Sequence, residues 1–301
     1  MRGLASPLLL VLLLACVPIG QSLSPTDFRG EIESGGLSRS YEGHLPAPSG
    51  AGLPLVLVLH GGGGDGHGMR RLTGMDALAE RAGFVVVYPD GYRKSWADGR
   101  GTTAAEQAGV DDVAFLRALI QHLVRQYGVD PKRVYAAGIS NGGLMVGRLA
   151  CELSDRIAAF AVVAATFPES LTLGCHPPRP VPILFIHGTL DPILPASGGV
   201  PKIGAGGRLL SAEGAVEFWR GRDACTRPPV EARLIDPVPD GTQTLLRGWV
   251  CAQGSRVLFY RVEGGGHTWP GGWQYLPQAL VGRTSRDFNA SEVIWDFFRS
   301  F

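Results

Sequence analysis

Arg133-Val-Tyr-Ala-Ala-Gly-Ile-Ser-Asn-Gly-Gly143 is a short apolar run that ends in a serine set among glycines, and its reading decides the fold. The run through Ala137 suits a strand buried on both faces. The residues from Asn141 to about Ala150 suit a helix. A strand passing straight into a helix at Gly138-Ile-Ser140-Asn-Gly142 matches the pattern G-x-S-x-G. In that pattern the serine occupies a strained turn that lifts its hydroxyl clear of the sheet, and the glycines let neighbouring backbones approach. The helix that follows supplies free N–H groups and the positive end of its dipole. A turn that merely packs is the plainer alternative, and the flanking strand and helix favour a nucleophile.

Working outward, the same alternation recurs. Pro54-Leu-Val-Leu-Val-Leu59, Phe84 to Tyr88, Ile157 to Ala165, Val181 to Ile186 and Val257 to Val262 are apolar runs that suit further buried strands. Between them a helix is expected from about Met69 to Arg81. Another is expected from Asp111 to Tyr127, where Val113, Leu116, Leu119, Ile120, Leu123 and Val124 recur at three- and four-residue spacings. Asn289-Ala-Ser-Glu292 resembles a capping box that opens a last helix. Residues 28–46 suit an antiparallel hairpin at the sheet edge. Alternating strands and helices imply the α/β class, with a mainly parallel sheet covered on both faces. The glycine-rich stretch Ser197 to Gly207 reads as a loop over one face.

At 301 residues, with 45% hydrophobic and 18% charged residues, the chain has enough apolar content for a sizeable core and is not of the disordered class. A net charge of +1 and no long Lys/Arg run argue against nucleic acid or an anionic membrane surface as partner. Arg2 followed by the apolar run Leu8 to Leu14 and small residues through Gly20 has the layout of a secretory signal peptide. That run is too short to be a permanent span. Residues 1–22 are therefore expected to be a signal peptide and 23–301 one catalytic domain. Cys16 lies directly behind the apolar run and has two readings: a lipid-modified cysteine of a bacterial lipoprotein signal, for which Leu14 is atypical, or part of a discarded peptide. Cys151, Cys175, Cys225 and Cys251 make an even set in an exported chain, which fits two disulfides. Of the three pairings, Cys151–Cys175 and Cys225–Cys251 are preferred because each closes a short loop. No second module is expected after the last helix.

A serine nucleophile needs a base, and the base needs an orienting carboxylate. In the α/β-hydrolase fold they follow in the chain order Ser, acid, His. Asp191, in the loop after Val181 to Ile186, and His267, after Glu263-Gly-Gly-Gly, satisfy that order. Glu263 is the rival acid but stands too near His267 along the chain. His187 and His60 terminate strands and read as structural, through ring hydrogen bonds to nearby backbone. A tetrahedral intermediate needs N–H donors for its oxygen. The backbone of Asn141 is one candidate, and Gly62 in His60-Gly-Gly-Gly-Gly64 is the other. The glycines at 61, 63 and 66, with Asp90 ending the next strand, also match a dinucleotide fingerprint. That match leaves Ser140, Asp191 and His267 unexplained. No Gly-Lys-Ser/Thr follows, and the histidines lack metal-ligand spacing, so no metal or other cofactor is expected.

Taken together, Leu59-His-Gly-Gly-Gly-Gly64, Tyr88-Pro-Asp-Gly91 with Trp96, Gly138 to Gly143, His187-Gly-Thr-Leu-Asp191 and Gly264-Gly-Gly-His-Thr-Trp-Pro-Gly-Gly272 resemble the secreted group of polyhydroxybutyrate depolymerases, feruloyl esterases and acetylxylan esterases. The resemblance runs from about residue 28 to 300. It implies a serine esterase with Ser140 as nucleophile, Asp191 as acid and His267 as base, and it supports the two local disulfides. It also implies, as substrate, a small ester, a hydroxyalkanoate oligomer or an acylated polysaccharide. Trp96 and Trp269 are expected to form a flat wall for an aromatic acyl group or a sugar ring, with Trp273 either joining them or packing its own loop. A serine peptidase, an acyltransferase and a non-catalytic binding protein on the same scaffold are the competing readings.

Overall fold

Alternate residues of each strand point to opposite faces, so runs such as Leu55-Val-Leu-Val-Leu59, buried at every position, require cover on both sides. The computed structural model describes residues 26–301 and supplies that cover. A hairpin, β1 (Asp27–Ser34) and β2 (Leu37–His44), leads into β3 (Leu55–Leu59), α1 (Gly66–Thr73) and α2 (Met75–Ala82). Next come β4 (Val85–Pro89), α3 (Ala104–Gln107), α4 (Asp112–Tyr127), β5 (Val134–Ile139) and α5 (Asn141–Glu152). Then follow β6 (Ala159–Val163), β7 (Ile183–Gly188), α6 (Ala212–Arg222), β8 (Glu231–Ile235), β9 (Gln243–Val250) and β10 (Arg256–Glu263). The short α7 (Gln278–Val281) and then α8 (Ala290–Phe298) complete the described elements.

The strands form one sheet in the order β1-β2-β4-β3-β5-β6-β7-β10-β9-β8. From β4 to β10 every pairing is parallel. The outer pairs at both edges are antiparallel. Leu55, Leu57 and Leu59 face Phe115, Leu119 and Leu144 from α4 and α5. Val56 and Val58 face the other way, toward Met69, Leu78 and Phe298 from α1, α2 and α8. This is the α/β-hydrolase architecture, and it places the ends of β3, β5, β7 and β10, where the candidate residues stand, along one edge of the parallel core.

The leading hairpin, the buried strands and the Asp111 start of α4 fall where the sequence puts them, with the Asp111 carboxylate accepting the Ala114 N–H. Asn289 caps α8 by accepting from Ser291 and Glu292. Three features differ. The helix expected over Met69 to Arg81 is two helices, because Gly74 adopts φ 59°, closing α1 through its N–H to Arg70 O and opening α2. Helix α6 carries Gly214 and Gly221, which weaken the helical signal. Strands β8 and β9 escape a hydrophobic reading because the inward positions of β9 include Thr244 and Gly248, and β8 is an edge strand with Leu234 exposed.

Cys151–Cys175 ties the end of α5 to the segment before β7, and Cys225–Cys251 ties the segment after α6 to the end of β9. The pairs are the two local ones. The signal-peptide and Cys16 readings fall outside the described residues. Among the described residues no helix is long and apolar enough to cross a membrane.

The last helix is held chiefly by rings. Phe298 is fully buried and stacks on Tyr135 at a centroid distance of 5.0 Å, while the Tyr135 hydroxyl donates to Phe301 O at 2.7 Å. Truncating such a side chain leaves a cavity, so Phe298→Ala is expected to cost about 3–5 kcal/mol in denaturant unfolding. An unchanged midpoint would mean that α8 is not part of the cooperative core.

Candidate active site

Ser140 joins β5 to α5 with φ 58° and ψ −126°, a conformation that non-glycine residues rarely adopt. Its N–H donates to Val163 O at 3.0 Å and its carbonyl accepts from Leu144 N, so both neighbours hold the strained turn. The flanking glycines are required by contact. A Cβ at Gly142 would lie 2.4 Å from the carbonyl oxygens of both His60 and Leu59, and one at Gly138 would lie 2.5 Å from Gly142 O. The turn therefore seats directly against the loop leaving β3.

Asp191 follows β7 and His267 follows β10, and neighbouring parallel strands carry them together. His267 Nδ1 lies 2.7 Å from Asp191 Oδ2. A carboxylate oxygen accepts, so Nδ1 carries the proton and Nε2 is left as an acceptor. The other Asp191 oxygen accepts the N–H groups of Ile193 and Leu194, each at 2.8 Å, which fixes the carboxylate plane. Both residues are buried. Glu263 pairs instead with Arg261 at 2.8 Å. Ser140 and His267 line the same cavity of about 610 Å³.

The loop after β3 supplies the opposite wall. His60 Nε2 accepts the Gly91 N–H at 2.9 Å, which leaves Nδ1 to donate to Gly61 O at 2.7 Å. Burial keeps the His60 imidazole pKa below its ordinary value, so the ring stays neutral and this tautomer persists. Trp96 Nε1 donates to His60 O at 2.9 Å. Within the glycine run the Gly63 N–H goes to Lys94 O and the Gly64 N–H to Gly61 O. Gly62 lines the cavity, and a Cβ there would lie 3.7 Å from Asn141 Cβ. Asn141 is the first residue of α5, where backbone N–H groups have no intrahelical acceptor.

His187 is also structural: its nitrogens lie 3.2 Å from Ala165 O and 3.0 Å from Leu194 O, and burial lowers its pKa. Asp90 is engaged by Ser40 Oγ and the Gly66 N–H, which leaves the dinucleotide fingerprint without its free carboxylate. Asp27, His44 and Asp76 come together as metal ligands would, but the Arg70 guanidinium bonds both carboxylates and fills the place of a cation.

The aromatic wall is corrected. Trp96 is fully buried under the β3 loop. Trp269 is 1% exposed, its Nε1 donating to Ser291 Oγ at 3.1 Å. Each ring is turned inward because its N–H has a partner there, and neither lines the cavity. Trp273, 47% exposed, lines it instead, with Tyr275 and Leu276. The Tyr275 hydroxyl donates to His267 O at 2.8 Å, and burial together with the charge of Asp191 pushes its pKa up to about 12, so it remains a donor. Sequence reading missed Tyr275, Ile193, the wall Ile203 to Ala205, and the side-chain role of Asn141. The side chain of Asn141 accepts from Trp96 N at 2.8 Å and donates to Trp96 O at 3.1 Å and to Asp98 at 2.6 Å. Its identity at the variable position of the motif was the one available signal.

Because Gly142 meets two carbonyl oxygens, Gly142→Ala is expected to push the β3 loop from the turn. The expected outcome is loss of most esterase turnover and a lowered melting temperature. Retention of both would mean that the contact is not needed.

The family profile described as esterase PHB depolymerase matches residues 39–170. A protein named as an esterase, NocK of Nocardia uniformis subsp. tsuyamanensis, is 37% identical over 283 residues, covering 89% of this chain and 81% of its own length. Feruloyl esterase B of Piromyces equi is 31% identical over 65% of this chain, which spans only 36% of that protein. Among solved structures, the acetyl xylan esterase from Aspergillus awamori superposes with a TM-score of 0.57 at 15% identity, over 80% of this chain and 94% of that one, a likeness of fold. With these relatives and with this architecture, the chain belongs to the esterase PHB depolymerase family and is a carboxylic-ester hydrolase.

Proposed function

We propose that Ser140, His267 and Asp191 act as nucleophile, base and orienting acid in ester hydrolysis through an acyl-enzyme. The observation that carries this reading is the 2.7 Å bond from His267 Nδ1 to Asp191, which turns His267 Nε2 into an acceptor in the cavity that Ser140 enters from its strained turn. Ser140 Oγ attacks the ester carbonyl carbon while Nε2 takes its proton. The developing oxyanion is met by the N–H groups of Asn141 and Gly62. The tetrahedral intermediate collapses as the imidazolium gives its proton to the departing alcohol. Water, deprotonated by the same nitrogen, then attacks the acyl carbonyl and releases the acid and Ser140. The cycle balances without a cofactor or metal.

Met69, Leu72, Ile139, Ile193, Trp273 and Leu276 make much of the cavity wall apolar. That favours an ester whose acyl part is apolar or aromatic, and Trp273 is the exposed ring available to face it. Feruloyl esters, acylated saccharides and hydroxyalkanoate oligomers are the candidates suggested by the relatives. The signal-like segment 1–22 and the two disulfides support action outside the cytoplasm, with 23–301 as a single catalytic domain.

Hydrolysis of 4-nitrophenyl acetate and of its anilide analogue tests the assignment. Wild type should cleave the ester in preference to the amide. Ser140→Ala is expected to lose roughly 10⁴-fold or more in kcat, and Asp191→Asn about 10⁴-fold because the wrong imidazole tautomer is favoured. Undiminished turnover in Ser140→Ala would defeat the mechanism. Higher activity on the anilide would replace esterase with peptidase.

A further inference from the structure

Arg100 stands on the cavity wall with its side chain only 5% exposed, beside a fully buried Asp98. Its Nε lies 3.1 and 3.0 Å from the two Asp98 oxygens and its Nη2 lies 2.8 Å from Oδ2, so three contacts hold the guanidinium. The remaining arm, Nη1, donates to Gly206 O at 2.8 Å. Gly206 belongs to the glycine-rich segment whose Ile203, Gly204 and Ala205 form another part of the cavity wall. Backbone contact reinforces the link: a Cβ at Gly207, where φ is +76°, would lie 2.6 Å from Arg100 Cβ. The same oxygen, Asp98 Oδ2, also accepts from Asn141 Nδ2 at 2.6 Å.

We propose that Arg100 is a specificity-determining residue, latching the Ile203–Gly207 wall to the buried Asp98 and thereby limiting the size of the acyl or alkoxy group admitted beside Ser140. This rests on the triad reading above. The segment needs such a latch. Gly204, Gly206 and Gly207 all take left-handed φ values, Ile203 to Ala205 are exposed to solvent, and glycine-rich backbone has much conformational freedom to lose. A guanidinium suits the task because its planar fork engages a carboxylate on one side and leaves a donor directed elsewhere. The same carboxylate anchors the Asn141 side chain, so the wall and the residue whose N–H meets the oxyanion share one buried support.

Two variants loosen the latch by different routes. Arg100→Lys keeps a positive charge for Asp98 but loses the fork. Gly207→Ala keeps both members of the Arg100–Asp98 pair but sets a Cβ against Arg100 Cβ, Cγ and Cδ, wedging the segment away from the latch. Both are assayed on 4-nitrophenyl acetate and 4-nitrophenyl octanoate, with circular dichroism and melting temperature as the check on folding. In each folded variant the ratio of kcat/KM for octanoate over acetate is expected to rise about tenfold, the scale of a change in pocket fit. If Arg100→Lys fails to fold, Gly207→Ala carries the test. A ratio unmoved or lowered in a folded variant, with wild type active on acetate, overturns the Arg100 assignment alone. Wild type inactive on both esters overturns the triad reading and this assignment with it.

Discussion

The site depends on one close approach, where Gly142 of the turn after β5 lies against the carbonyl oxygens of Leu59 and His60 at the end of β3. A side chain at Gly142 would bring a Cβ within 2.4 Å of both oxygens. With no side chain there, the strand–turn–helix unit that carries Ser140 and the glycine loop that carries Gly62 share a wall. Parallel pairing of β3 with β5, which matches Leu59 to Gly138, delivers the two segments to the same level. Gly62 and Ser140 are therefore held by sheet register, which is more rigid than placement on free loops.

Around this contact, polar groups are buried with partners that fix their protonation or orientation. His60 is neutral and bonded at both nitrogens, and it sets the course of the glycine loop. Asp191 has one oxygen on two backbone N–H groups and the other on His267. Asp98, whose pKa is raised by burial against the opposing effects of Arg100 and Asn141, links the Trp96 loop, α5 and the glycine-rich wall. Buried polar groups satisfied in this way add specificity to a geometry that apolar packing alone would leave loose.

The parallel core was legible because buried strands are continuous apolar runs, and the places of Ser140, Asp191 and His267 because each follows such a strand. What stayed hidden had weaker physical signals. Gly74 splits a helix through a left-handed φ that apolar spacing does not register. Strand β9 turns Thr244 and Gly248 inward, so its alternation is not an alternation of hydrophobicity. For Trp269, nearness to His267 in sequence was a poor guide, and for Trp96 so was a loop at the same end of the sheet. Trp269 points to Ser291 and Trp96 to His60 O, contacts made across the fold, and Trp273 is left as the tryptophan that lines the cavity. Asn141 was read for its backbone alone, and its side-chain anchors on Trp96 and Asp98 required the tertiary structure.

The central claim is that the hydroxyl of Ser140 is the group that becomes acylated. Peptide mapping by mass spectrometry after treatment of the folded protein with a fluorophosphonate tests it most directly, since that reagent phosphonylates an activated serine as an ester would acylate it. The account predicts a single stoichiometric adduct on the peptide containing Gly138-Ile-Ser-Asn-Gly142, formed with loss of ester hydrolysis. An adduct on another residue, or a protein that hydrolyses esters and stays unlabelled, would contradict it.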